Sequence, residues 1–141
     1  MPDDLNLNDD QFCFVCGKNN PDGLRIAFQY PAPSTCRAAF TPPRKFQGWQ
    51  GILHGGIVST LLDEALAHAA GGPERGGGGS GAVTAELTVR FRKPVPIGAA
   101  VVLEGRVVAD KGRVVECESS LTDTSGTVLA SATGKLVRPK G

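Results

Sequence analysis

One segment constrains the fold more than any other: Gly56 to Ala70, GIVSTLLDEALAHAA, reads as the single long helix of a chain whose other ordered stretches read as strands. Ile57, Val58, Leu61, Leu62, Ala65, Leu66, Ala69 and Ala70 leave it almost no polar face. A helix that is apolar nearly all round has to be buried, and with strands as the only other elements the burial falls to a sheet wrapped about it. Gly71, Gly72 and Pro73 supply the stop signal.

The strands follow from alternation and punctuation. Leu24 to Tyr30 and Thr35 to Phe40 are separated by Pro31 and Pro33 and read as a hairpin. Thr41 to Gly51 has no clear period and reads as a shaped loop carrying Phe46, Gln47, Trp49 and Gln50. Beyond the helix, Gly71 to Gly81 is a glycine-rich connector without the G-K-[ST] ending of a phosphate loop. Four strands follow: Ala82 to Phe91, Ala99 to Val108, Arg113 to Thr122 and Thr127 to Val137. In the first, Ala85, Leu87, Val89 and Phe91 alternate with Glu86, Thr88, Arg90 and Arg92, the period of a half-buried strand. Asp110 to Gly112 and Asp123 to Gly126 supply turns, so later neighbours pair antiparallel. The pattern is strands, one long helix and then a strand meander, an α+β architecture in one domain over residues 1–141 with an N-terminal extension over 1–23.

Composition narrows the function. Fifteen Lys and Arg against 14 Asp and Glu give a net charge of +1, which provides no global field for nucleic acid or an anionic membrane. The opening MPDDLNLNDD is polar with no apolar run behind it, so a soluble, cytoplasmic protein is expected. In a reducing compartment the four cysteines are expected to be thiols. Cys13 and Cys16 form a C-x-x-C, half of a zinc site or a redox pair. A structural zinc usually needs four ligands, and neither His54 nor His68 has finger spacing to them, so a packed or capping role is expected and no metal or cofactor.

The chemistry concentrates on the helix. Asp63 lies mid-helix among leucines, where an ionised carboxylate is costly to bury unless it is paired or faces a wet cleft. Glu64 and His68, spaced i, i+4, read as an ordinary helix-face pair joined by Arg75. His54-Gly55-Gly56 precedes the helix directly; two glycines let a ligand approach the backbone, and the helix N-terminus offers N–H groups to a carbonyl oxygen gaining charge. The plainer alternative is a tight turn with His54 capping the helix. Asp63 lies eight residues beyond Gly55, roughly 12 Å along a helix, whereas an oxyanion donor and a base must both approach one reacting group closely. If both act, they come from different subunits across a two-fold interface.

GILHGGIVSTLLDEALAHAA resembles the H-G-G helix of the hotdog-fold thioesterases related to the phenylacetyl-CoA thioesterases, the PaaI-like group. CFVCGKNNPDGLRIAF and AELTVRFRKPVPIG extend the likeness over most of the chain. The resemblance implies a hotdog fold and hydrolysis of acyl-CoA; a thiolate leaves readily, so no cofactor is expected, and the shared site calls for a homodimer, with a homotetramer built from dimers also open. It assigns the oxyanion N–H to Gly55, the acid that serves as nucleophile or general base to Asp63, and a water-holding hydroxyl to Thr84. Relatives carry an amide shortly before H-G-G, where Gln47 and Gln50 stand. His54 and Gly56 would border the substrate, and Arg90, Arg92 and Lys93 would meet the CoA phosphates, or else form a charged, solvated strand edge. Two rivals remain: a hydroxyacyl-thioester dehydratase, pairing a histidine with the acid, and a non-catalytic acyl-CoA-binding domain.

Overall fold

A computed structural model describes residues 7–74 and 81–139. The elements in chain order are β1 (Thr35–Phe40), α1 (Gly55–Gly71), β2 (Val83–Phe91), β3 (Val101–Asp110), β4 (Val114–Asp123) and β5 (Val128–Val137). They form one antiparallel sheet in the order β1-β3-β4-β5-β2, with α1 packed against it. The expected α+β hotdog arrangement is formed, and the helix and the four later strands lie within two residues of their expected bounds.

The helix is held where the sheet permits close approach. Leu61, Leu62, Leu66, Leu103, Leu121 and Leu136 are fully buried, each side chain contributing about 1.5–3 kcal/mol of transfer free energy. Gly105 on β3 has to be glycine, because a Cβ there would collide with the carbonyl of Ala65. Polar pins add register: Ser119 Oγ donates to the Leu62 carbonyl at 2.9 Å, and Cys36 Sγ reaches the Ala65 carbonyl at 3.1 Å. The β3–β4 and β4–β5 turns use Gly112 and Gly126 at φ 84° and 87°, with Asp110 and Asp123 accepting from backbone N–H groups two residues on.

Three expectations need correction. Leu24 to Tyr30 is not a strand: Arg25 has φ 55°, and the N–H groups of Leu24 and Ile26 bond to Phe14 and Val15 instead. Only Gln29 bridges Arg37, so the hairpin is reduced to a single pair. The meander covers β3 to β5 alone, since β2 pairs with β5 rather than with β3. Finally, β2 is not half-buried in a single chain, because it is an edge strand: Leu87 is 37 % and Phe91 60 % exposed. The connector begins as a 3₁₀ turn at Gly72–Glu74, and its residues 75–80, including Arg75, lie outside the described residues.

Candidate active site

The helix N-terminus is built as its sequence suggests. His54 is the N-cap, with Nδ1 accepting from the Gly56 N–H at 2.8 Å, while Ile57 and Val58 donate to the His54 carbonyl. The capping alternative for His54 is therefore realised, and it has a consequence. Of the four N–H groups at the start of a helix, three are committed, and that of Gly55 has no acceptor among the described residues.

Gly55 opens onto a cleft of ≈ 830 Å³ bordered by Trp49, Val58, Phe91, Arg92, Lys93 and Val95, among others. The walls are largely apolar and two cations stand at the rim. The Phe91 ring lies 3.6 Å from where a Cβ on Gly55 would stand, an ordinary contact, so Gly55 sits beside an aromatic wall. His54 also lines this cleft, whereas Gly56, Gln47 and Gln50 do not. Gln47 instead accepts from the Gly51 N–H at 3.2 Å and bridges Leu53, closing the loop that forms one wall. Arg90 turns away, bordering a second hollow with Thr88 and Glu104 on the sheet face opposite the helix; Arg92 borders both.

Asp63 lies two turns further along α1, half-buried, and the Thr84 hydroxyl donates to its Oδ1 at 2.6 Å. Thr84 sits on β2 beside a register irregularity between Thr84 and Glu86. One chain thus joins Asp63 to Thr84, and Gly55 to Arg92 and Lys93, without Asp63 or Thr84 lining the Gly55 cleft.

The next residue, Glu64, is paired with His68 as its spacing suggests, but in a buried cluster rather than on an ordinary helix face. It is 6 % exposed, and its Oε1 is approached by His68 Nε2 at 3.2 Å, Cys16 Sγ at 3.1 Å and Cys13 Sγ at 3.5 Å. Tyr30 Oη lies 2.6 Å from His68 Nδ1, and Phe28 stacks on the imidazole at 3.9 Å. Sequence spacing found the Glu64–His68 pair but not its company, which comes from 38 to 51 residues away. The remaining cysteines are apolar core thiols: burial pushes Cys36 up to about 12 and Cys117 up to about 11.

The model of the thioesterase superfamily matches residues 50–130, which span the H-G-G turn, the helix and β2 to β4. The chain belongs to the thioesterase superfamily. It is 32 % identical over 129 residues to the acyl-coenzyme A thioesterase THEM4 of Bos taurus, covering 90 % of this chain and 46 % of that protein. The chain therefore spans about half the length of this relative. The crystal structure of RHA08564, a thioesterase superfamily protein, superposes with a TM-score of 0.77 at 27 % identity, covering 87 % of this chain and 61 % of the other. The PaaI protein of the E. coli phenylacetic acid degradation operon superposes at 0.74 with 19 % identity, covering 84 % and 82 %. The expected fold is thereby shown, and no helix among the described residues is long and apolar enough to cross a membrane.

Proposed function

We propose that this chain hydrolyses acyl-CoA thioesters at sites shared between two copies, with Asp63 as the catalytic carboxylate and the Gly55 N–H as oxyanion donor. The observation that carries this reading is the Thr84–Asp63 hydrogen bond, which ties the helix carboxylate to the edge strand β2. Thr84 spends its proton on Asp63 Oδ1 and keeps lone pairs for a water, whose own proton can pass to Oδ2. That water attacks the thioester carbon, the developing oxyanion is held at Gly55, the carbon–sulfur bond breaks, and the CoA thiolate takes up a proton. Direct attack by Asp63, giving an anhydride that water then opens, uses the same groups.

Two features support a shared site. The helical rise of roughly 12 Å between Gly55 and Asp63 keeps them from one reacting group within a chain. The edge of β2, with Leu87 and Phe91 exposed, is a surface that a second β2 could pair with about a two-fold axis, bringing each Gly55 cleft toward the other copy's Asp63. The rim cations Arg92 and Lys93 suit the CoA phosphates, and the acyl-coenzyme A thioesterase THEM4 as a relative supports this substrate class. The dehydratase reading loses support because both histidines are engaged elsewhere, His54 as a helix cap and His68 with Glu64 and Tyr30.

Thiol release from a panel of acyl-CoAs tests the reading. Asp63→Asn should lower kcat by ~100-fold or more, since a general base contributes at least that much, with melting temperature and oligomeric state unchanged. Retention of more than about a tenth of kcat would remove Asp63 from the mechanism; a wild-type chain that binds acyl-CoA without turnover would make it a binding domain.

A further inference from the structure

We propose that Cys13, Cys16 and Glu64 form a binding site for one Zn²⁺ ion, which clasps the N-terminal segment onto α1 and is held from behind by His68. The sequence supplies only two of these ligands, and its expectation of a packed or capping thiol pair lacked the third. In the fold, the two sulfurs and a Glu64 carboxylate oxygen all lie within 4.8 Å of one another.

The geometry suits the ion. Zinc–sulfur bonds of about 2.3 Å and zinc–oxygen bonds of about 2.0 Å at a tetrahedral angle place S and O about 3.5 Å apart. Cys13 Sγ is 3.5 Å and Cys16 Sγ 3.1 Å from Glu64 Oε1, close to that spacing, and the two sulfurs lie within 4.8 Å of each other. Two thiolates and a carboxylate are a borderline-soft set that favours zinc over magnesium or calcium. The turn is also shaped for it. The Gly17 N–H donates to the Cys13 carbonyl at 2.9 Å, and the Val15 N–H points at Cys13 Sγ at 3.4 Å. A Cβ on Gly17 would collide with the Cys13 backbone, so the glycine after the second cysteine is what allows both sulfurs to face one side.

The surroundings fit a ligating carboxylate. With Tyr30 donating to Nδ1, His68 presents Nε2–H to Glu64, the outer-shell hydrogen bond that orients a metal ligand. Without a cation, two S–H groups and an N–H crowd one buried oxygen. With it, two thiol protons go to solvent, and the +2 ion offsets the three negative ligands it joins. Three protein ligands leave one tetrahedral position for a water.

The test is titration of chelator-stripped, reduced protein with Co²⁺ and then Zn²⁺. Expected are one Co²⁺ per chain, tetrahedral visible bands with a thiolate-to-cobalt charge-transfer band, displacement by Zn²⁺, and a higher melting temperature in excess Zn²⁺. Cys16→Ser should weaken binding more than ~100-fold, beyond the 10–100-fold typical of an outer-shell loss such as Tyr30→Phe; Cys117→Ala should leave binding unchanged. Should Cys16→Ser fail to fold, protection of Cys13 and Cys16 from iodoacetamide by Zn²⁺ is read in the wild type. No stoichiometric binding at micromolar metal, a spectrum without thiolate, unchanged affinity in Cys16→Ser, or absent protection would each overturn the site. Ready formation of a Cys13–Cys16 disulfide in protein that takes up no metal would overturn it in favour of a redox pair.

Discussion

Asp63 and Glu64 are neighbours in sequence and opposites in surroundings. Side chains one residue apart on a helix point about 100° away from each other, so α1 offers one carboxylate to the edge strand and the next to the N-terminal segment. Among the described residues Asp63 has a single donor, the Thr84 hydroxyl, and is half-buried beside the edge strand β2. Glu64 is buried and ringed by two thiols and an imidazole. The difference teaches what each can do. A half-buried carboxylate beside an edge strand can take a proton, whereas a buried one with three donors on one oxygen is suited to holding structure together.

The ways to break that contrast are graded. Asp63→Asn is the largest, lowering kcat by ~100-fold or more with little change in melting temperature. Glu64→Gln should do the reverse in kind. Its main cost should be stability, on the order of 2 kcal/mol, because the buried donors around it lose a carboxylate acceptor. Urea denaturation of the two variants side by side checks it, and a larger stability loss in Asp63→Asn than in Glu64→Gln would erase the distinction. Smaller still is the rim: Arg92→Ala or Lys93→Ala should raise KM for CoA esters about tenfold, the worth of one charge-assisted hydrogen bond, and leave a short thioester lacking the nucleotide nearly unaffected. Equal effects on both substrates would give these cations a structural role instead.

Much of this was legible beforehand, and the rest was hidden for identifiable reasons. The helix was written in its apolar residues and the glycines after it, and the later strands in alternation and Asp-Gly turns, all local signals. The partners of β2 were not local. Strand order is set by which edge the chain reaches after the connector, and β2 crosses to β5 although β3 follows it in sequence. Leu24 to Tyr30 has strand-forming residues, yet Arg25 adopts φ 55° and the backbone pairs with Phe14 and Val15, a tertiary contact overriding propensity. Asp63 and Gly55 could be singled out from cost and spacing, and Thr84 from resemblance. The ring around Glu64 could not, because it joins Cys13, Cys16 and Tyr30 from a segment with almost no regular secondary structure.

The central claim is that each catalytic site takes Gly55 from one chain and Asp63 from its partner, and subunit mixing tests it most directly. Gly55→Pro removes the N–H in question. Gly55 is the first residue of α1, where proline is well accommodated, and His54 already has φ −59° and ψ 134°, the extended conformation that precedes proline. Each parent, Gly55→Pro and Asp63→Asn, should be folded, dimeric and nearly inactive. Exchanged into heterodimers, they leave one site doubly damaged and one intact, so about half of the wild-type activity per heterodimer should return. Heterodimers that form and stay as inactive as their parents would contradict the shared site.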